Sequence, residues 1–366
     1  MPDTFVKHNR PLRKQTPQQK PKKKQAEKRS AAKPPASPAD KPSKETTATQ
    51  EPQTAVTATT YAGTTLEGFN FGRLASGAAS AQGARPYQED RYEKDEPAGY
   101  FAVYDGHGGS LASDYLIEHL KENVIAAIAE ADEDKADKAQ PLSDAEIEHA
   151  LVRAFKDTDA EFMLEYVDDG STCCAVYCTT DEIRGTRTIH CANVGDSRAV
   201  LVHGDGTIEE LSHDHKPLDP AEKRRIEAAG HSVEIITALT AKGRVKVPRV
   251  DGVLALSRAF GDGSMKDVTL SQEECAVTCI PDIKHVRVDP RQMRFVVIAC
   301  DGVWDVISSE RAGQIVVEFM RGVDREALKT DKGLRQALTQ AAEKLVQTAL
   351  EEGSDDNCTA VVVKIA

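Results

Sequence analysis

The chain has 366 residues, enough for one large domain plus extensions, and a formal net charge of −12. The charge is split: residues 1–44 carry 13 Lys/Arg against 3 Asp/Glu, and the rest carries 34 against 56, so the body is strongly acidic. An acidic body weighs against nucleic acid as a substrate, because phosphate contacts dominate such binding. No apolar run is long enough to span a membrane, so no membrane partner is expected.

Residues 1–65 read as a disordered basic tail, with nine of the 17 prolines in its first 52 positions and Lys, Gln, Ser, Thr and Ala filling most of the rest. The run Lys20-Pro21-Lys22-Lys23-Lys24 through Lys28-Arg29 reads as a solvating stretch, a nuclear import signal or a contact for an anionic surface. The N-terminus lacks the apolar segment of a signal peptide, and Pro2 stands where N-myristoylation needs glycine. The eight cysteines form no Cys-x-x-Cys pair, and Cys173, Cys174, Cys178, Cys191 and Cys300 sit among apolar residues, which reads as buried, reduced thiols. The expectation is an intracellular, cytoplasmic monomer, with a nuclear fraction if the basic run is an import signal.

Order is expected from Leu66, so that residues 66–366 form the folded domain. Gly72 to Gln82 reads as a strand of small residues, and Tyr100 to Tyr104 as a second strand. Leu111 to Ala129 has helical spacing through Leu111, Tyr115, Leu116, Leu120, Val124, Ile125 and Ile128. Glu130 to Gln140 reads as a charged loop. Ser143 with Glu146 opens a helix to about Tyr166, with an apolar stripe of Ile147, Leu151, Phe155, Phe162 and Leu164. Strands follow at Thr172–Thr179, Thr188–Asn193, Ala199–His203 and Ile208–Leu211, too closely spaced for parallel crossovers and therefore antiparallel. Pro220 to Ala229 is a short helix stopped by Gly230. Further strands are expected at Val253–Leu256, Lys284–Val288, residues 295–300 and 358–365, and helices at 309–321 and 332–351. Strands outnumber helices and each helix has one apolar face. That pattern predicts an α+β fold of two antiparallel sheets face to face, with helices outside.

Two strand ends stand out. Tyr100-Phe101-Ala102-Val103-Tyr104 runs into Asp105-Gly106-His107-Gly108-Gly109, and Phe295-Val296-Val297-Ile298-Ala299-Cys300 runs into Asp301-Gly302. Further acidic turns lie at Gln88-Glu89-Asp90 and Asp355-Asp356-Asn357. Carboxylates at apolar strand ends need a counter-charge, and oxygen-only ligands suit Mg²⁺ or Mn²⁺.

These stretches join Arg85-Pro86-Tyr87, Gly170-Ser171-Thr172, Asn193-Val194-Gly195-Asp196-Ser197-Arg198, Asp214-His215-Lys216-Pro217 and residues 251–262, which include Ser257-Arg258-Ala259-Phe260-Gly261-Asp262. In this order and spacing the chain resembles the metal-dependent protein phosphatase 2C (PPM) family over about residues 70–366. The resemblance implies a central antiparallel β-sandwich flanked on both sides by α-helices, in four αββα layers. It also implies hydrolysis of phosphoserine and phosphothreonine in protein substrates by water activated between two Mg²⁺ or Mn²⁺ ions. By position, Asp105 would bridge both ions, Asp301 and Asp356 would complete one site, and Glu89 and the Gly106 carbonyl would serve the other. Asp196 resembles the ligand of a weaker third ion. Arg85 matches the arginine that grips the phosphate, and His107 the proposed general acid.

Plainer readings stand beside several of these. Asp196 also suits the cap of a tight turn, and Asp305 the cap of the helix after it. His213 and His215 read as turn residues, Trp304 as core, Asp132 to Asp134 as a solvated loop, and Asp262 as a support of the site from a loop. Between Gly230 and Asp251 the chain is longer than a compact family member needs, which leaves substrate choice open there. A catalytically dead relative would lack a metal aspartate, yet Asp105, Asp301 and Asp356 are all present. A two-metal nuclease would need base-stacking aromatics, which make up only 5% of this chain.

Overall fold

The computed structural model describes residues 73–365 except 136, 138–139, 166–167, 182–185, 241–242, 268 and 290–291. The expected tail, its boundary at Leu66 and the opening of the first strand at Gly72 lie outside the described residues. In chain order the elements are β1 (Ala75–Ala81), β2 (Arg91–Asp95), β3 (Tyr100–Tyr104), β4 (Gly106–His107), α1 (Leu111–Asp134), α2 (Asp144–Met163), β5 (Gly170–Ser171), β6 (Cys173–Asp181), β7 (Thr186–Val194), β8 (Arg198–His203) and β9 (Ile208–Glu210). They continue with α3 (Pro220–Ala228), β10 (Val233–Thr240), β11 (Gly243–Val250), β12 (Phe260–Gly261), β13 (Asp282–Val288), β14 (Arg294–Ala299), α4 (Asp301–Trp304), α5 (Ser309–Gly322), α6 (Arg325–Leu328), α7 (Asp331–Glu351) and β15 (Cys358–Lys364).

Two five-stranded antiparallel sheets carry the domain, ordered β1-β15-β14-β8-β9 and β13-β7-β6-β3-β2. Strand alternation assigns each side chain to a layer. Phe101 and Val103 of β3, with Cys174 and Val176 of β6, meet Val296 and Ile298 of β14 and Val361 and Val363 of β15 between the sheets. Phe295, Val297 and Ala299, with Ala360 and Val362, face the other way, onto α5 and α7. Tyr100, Ala102 and Tyr104, with Cys173 and Ala175, face α1 and α2. The expected four-layer αββα sandwich is therefore present. Both faces of the central strands are covered, which is why they read as unbroken apolar runs.

Local chemistry explains the remaining elements. The strand β1 is built of small residues because α7 lies directly on it; a Cβ at Gly77 would overlap the Thr339 backbone. Ser143 and Glu146 form the capping box of α2 in both directions. Gly230, at φ 87°, ends α3 with its N–H on Glu227 O and the next N–H on Ile226 O. All eight cysteines are free and buried. Among the described residues no helix is long and apolar enough to cross a membrane.

Three expectations need correction, and one open stretch is now described. Glu130 to Asp134 continue α1 rather than forming a loop, since alanines and acidic side chains on a solvent face are good helix formers. Leu164 lies past the last turn of α2 and is 85% exposed. Residues 253–256 form a turn closed by a single bridge, Val250 to Leu254, rather than a strand. The extra length before Asp251 is an antiparallel hairpin, β10–β11. In addition, β7 and β8 do not pair; Gly195-Asp196-Ser197 carries the chain from one sheet to the other.

Candidate metal centre and active site

Antiparallel register gathers the acidic turns. Tyr104 at the end of β3 pairs with Arg91 at the start of β2, so Asp90 lies beside Asp105. Ala299 at the end of β14 pairs with Arg198 and with Ala360, which brings Asp196, Asp301 and Asp356 to the same end of the sandwich. Cys173 pairs with Val194, adding the Gly170-Ser171-Thr172 and Gly195-Asp196-Ser197 turns. There Asp105 N–H donates to Thr172 Oγ1 at 3.2 Å, and Thr172 Oγ1 and Ser197 Oγ lie 2.7 Å apart.

Ligand atoms of Asp105, Asp196 and Asp301 lie within 4.8 Å of one another, as do those of Asp90, Asp105 and Cys300. Burial, then the charges of Asp90, Asp301, Asp196 and Asp356, push Asp105 well above the usual carboxylate range. Asp301 is raised in the same way by burial and by Asp196, Asp305 and Asp356. Burial lifts Asp90 to about 6, partly offset by polar contacts to Thr359, Cys300 and Asp105. Neither carboxylate oxygen of Asp90 has a hydrogen-bond partner of normal geometry. Like charges held this close, with orphaned oxygens, fit divalent cations; a group of bound metal ions would supply the missing counter-charge.

Glycines let the backbones close around this cluster. A Cβ at Gly106 would stand 2.7 Å from Glu89 O, and one at Gly302 would overlap the Asn357 carbonyl. Asn357 ties the arginine loop to the site: its amide donates to Gln82 O at 2.8 Å and Tyr87 O at 3.0 Å, and its Oδ1 accepts from Glu89 N–H at 2.8 Å.

Arg85 Nη2 donates to Asp356 Oδ2 at 2.6 Å, and the arginine side chain is half exposed at the rim. His107 Nε2 lies 2.7 Å from Asp262 Oδ2. Burial works against a charged ring, but the Asp262 hydrogen bond and charge, with Asp196 and Glu89 beyond, outweigh it and raise His107 above its ordinary value. Asp262 adopts a left-handed conformation, φ 51°, which only a supporting structure maintains. That support comes from α2: buried Asp159 accepts from Lys266 Nζ at 2.7 and 2.8 Å and from Gly261 N–H at 2.7 Å.

The structure brings most of the expected site residues to one end of the sandwich. Asp105, Asp196, Asp301 and Asp356 converge, the Gly106 backbone lies among them, and Arg85 and His107 stand at the edge. Glu89 belongs to neither close cluster; the carboxylate against Asp105 is that of Asp90, its buried neighbour in the same motif. Lys216 was missed. Its ammonium contacts Asp196 and is raised, despite burial, by Asp196, Asp301 and Asp305. Asp305 faces this group and is not the cap of α5, a role taken by Ser308. Trp304 is core, donating its indole N–H to Ala299 O at 2.8 Å. His215 is buried and accepts from Gly195 N–H at 3.1 Å, so it stabilises the turn that presents Asp196.

The family model described as protein phosphatase 2C matches residues 60–358. The chain belongs to the protein phosphatase 2C family. It is 31% identical over 290 residues to a probable protein phosphatase 2C of Arabidopsis thaliana, covering 78% of this chain and 65% of that protein. It is 32% identical over 280 residues to the human integrin-linked kinase-associated serine/threonine phosphatase 2C, covering 73% of this chain and 62% of that one. The match thus spans under two thirds of either relative. A phosphatase structure from Toxoplasma gondii superposes with a TM-score of 0.61 at 27% identity, covering 80% of this chain and 92% of that one. The family is metal-dependent, and the carboxylate cluster of this chain suits that dependence.

Proposed function

We propose that the chain is a protein serine/threonine phosphatase that hydrolyses phosphoserine and phosphothreonine in protein substrates, using two Mg²⁺ or Mn²⁺ ions. The observation that carries this reading is the convergence of five carboxylates, Asp90, Asp105, Asp196, Asp301 and Asp356, beside an exposed arginine. Asp105 would bridge the two ions, with Asp301 and Asp356 on one side and Glu89, the Gly106 carbonyl and Asp90 on the other. Asp196 would hold a weaker third ion in competition with Lys216. When bound, the ions supply Lewis-acid charge and lower the pKa of water for direct attack on phosphorus.

The residues of the chain do the rest. Arg85 offers a planar fork to phosphate oxygens and offsets charge that develops on them. Asp356 holds that fork at the rim, ready to be shared with substrate. His107, oriented by Asp262, gives a proton to the departing serine or threonine oxygen, which is strongly basic and leaves poorly without one. Oxygen ligands favour Mg²⁺ and Mn²⁺ over Zn²⁺.

Turnover of a phosphothreonine peptide, compared with cleavage of single-stranded DNA under the same Mn²⁺, tests the reading. Peptide turnover without DNA cleavage is expected. DNA cleavage alone would make the chain a nuclease, and neither activity in metal-loaded protein would make it a binding module.

A further inference from the structure

A second group of metal-ligating side chains lies away from the carboxylate centre, on the outer face of the sheet that carries β7 and β13. His190 and His285 are directly paired across these antiparallel strands. Their Nδ1 atoms face each other at 2.7 Å, and ligand atoms of Asp144, His190 and His285 all fall within 4.8 Å of one another. Asp144 is the first residue of α2, which lies over this face. We propose that His190 Nδ1, His285 Nδ1 and the Asp144 carboxylate form a site for a zinc-class divalent ion that fastens the start of α2 to the sheet edge.

The surroundings have the form such a site needs. Ligating histidines usually place their other ring nitrogen against an oxygen that fixes tautomer and orientation. Here His190 Nε2 lies 2.9 Å from Thr179 Oγ1, and His285 Nε2 lies 3.5 Å from Glu148 Oε2, one helical turn beyond Asp144. The Glu148 contact is a charge contact without hydrogen-bond geometry, and the negative carboxylate favours a proton on His285 Nε2, which leaves the Nδ1 lone pair pointing at His190. The proton between the two Nδ1 atoms then belongs to His190; on ligation it moves to His190 Nε2, where Thr179 Oγ1 accepts it, so both rings stay neutral and both Nδ1 lone pairs face the ion. Tetrahedral ligation at about 2.0–2.1 Å per nitrogen needs the two atoms slightly farther apart, a change that small ring rotations supply. Arg287 Nη2 contacts Asp144 Oδ2 at 2.9 Å, which leaves the second carboxylate oxygen for the ion. His190 is fully buried, and burial together with the His285 and Arg287 neighbours keeps its ring neutral, at about 4. Imidazole with carboxylate selects Zn²⁺ over Mg²⁺, the reverse of the oxygen-only centre.

The test is Zn²⁺ binding by the full chain, stripped with chelator and then dialysed against Zn²⁺ with Mg²⁺ in large excess to occupy the oxygen-ligand centre. One Zn²⁺ per chain should be retained, and Co²⁺ in its place should give the intense visible absorption of a four-coordinate ion. His285→Ala should abolish retention. Asp144→Asn, at a half-exposed helix start that tolerates asparagine, should weaken it by at least about 10-fold with circular dichroism unchanged. Zn²⁺ should also raise the Tm of the parent chain but not of His285→Ala. Absence of Zn²⁺ retention by the parent chain overturns the proposal. So does retention that is equal in parent, His285→Ala and Asp144→Asn, because the ion would then sit elsewhere.

Discussion

His107 and Asp262 are 155 residues apart in sequence, yet Nε2 and Oδ2 are 2.7 Å apart in the fold. The carboxylate orients the ring, and Asp159 of α2, paired with Lys266, anchors the backbone beside it by accepting the Gly261 N–H. The histidine therefore depends on a chain of contacts that reaches well away from the metal centre.

Leaving-group basicity tests that arrangement. His107→Gln should slow hydrolysis of a phosphothreonine peptide by roughly 10²-fold, the usual scale of general acid catalysis. It should slow para-nitrophenyl phosphate much less, because nitrophenolate leaves without a proton. Asp262→Asn should follow the same pattern in weaker form. Equal slowing of both substrates, with metal content unchanged, would reduce His107 to a support of Asp105.

The Asp159–Lys266 pair is buried on both sides, with Lys266 Nζ also donating to Ala259 O at 2.9 Å. Lys266→Met leaves an unpaired buried carboxylate and should cost about 3–5 kcal/mol in denaturant unfolding. The double change Asp159→Leu with Lys266→Met should recover much of that stability. It should not recover peptide turnover, since Gly261 and Asp262 lose their anchor. A double variant no more stable than Lys266→Met would show that Asp159 carries no uncompensated charge.

Glu222 predicts an acid limit on stability. Burial would raise its pKa, but Arg258 and then Arg225 outweigh burial and hold it at about 2, against 4.5 for an ordinary glutamate. The folded pKa is depressed, so the ion pair contributes fully above the unfolded value and is lost as pH falls from about 4.5 to 2. Glu222→Gln should cost about 3 kcal/mol near neutral pH, and its difference from the parent chain should close across that window. A difference independent of pH would mean that packing, not charge, sets the effect.

Much of this architecture was legible in the residues. The strands β3 and β14 are apolar throughout because helices and the opposing sheet cover both faces, and such runs ending in Asp-Gly mark the site directly. Ser143 and Glu146 announced α2 because a capping box is a local device. What escaped notice depends on distant partners. Asp90 and Glu89 are adjacent and chemically alike, and only the pairing of β2 with β3 decides which one faces Asp105. Lys216 reads as an ordinary turn lysine until the β7–β8 crossover places Asp196 against it. The β10–β11 hairpin escaped because Glu234-Ile235-Ile236-Thr237 lacks clean alternation and its side chains are largely exposed, so no core imposes a period on it.

The carboxylate cluster also predicts a conflict between stability and function. In chelator, Asp105→Asn or Asp301→Asn removes like-charge repulsion and should raise the Tm by about 2 °C or more, while lowering turnover at least ~100-fold in the presence of metal. A lower Tm in chelator for both variants would mean that these carboxylates are stabilised by something other than a cation.

The most direct measurement is phosphothreonine-peptide turnover by chelator-stripped full chain, with residual metal quantified and Mn²⁺ or Mg²⁺ then titrated in. Turnover should be absent in the stripped protein and return with either ion, with Zn²⁺ a poor substitute. Full turnover in protein shown to be free of metal would contradict the account.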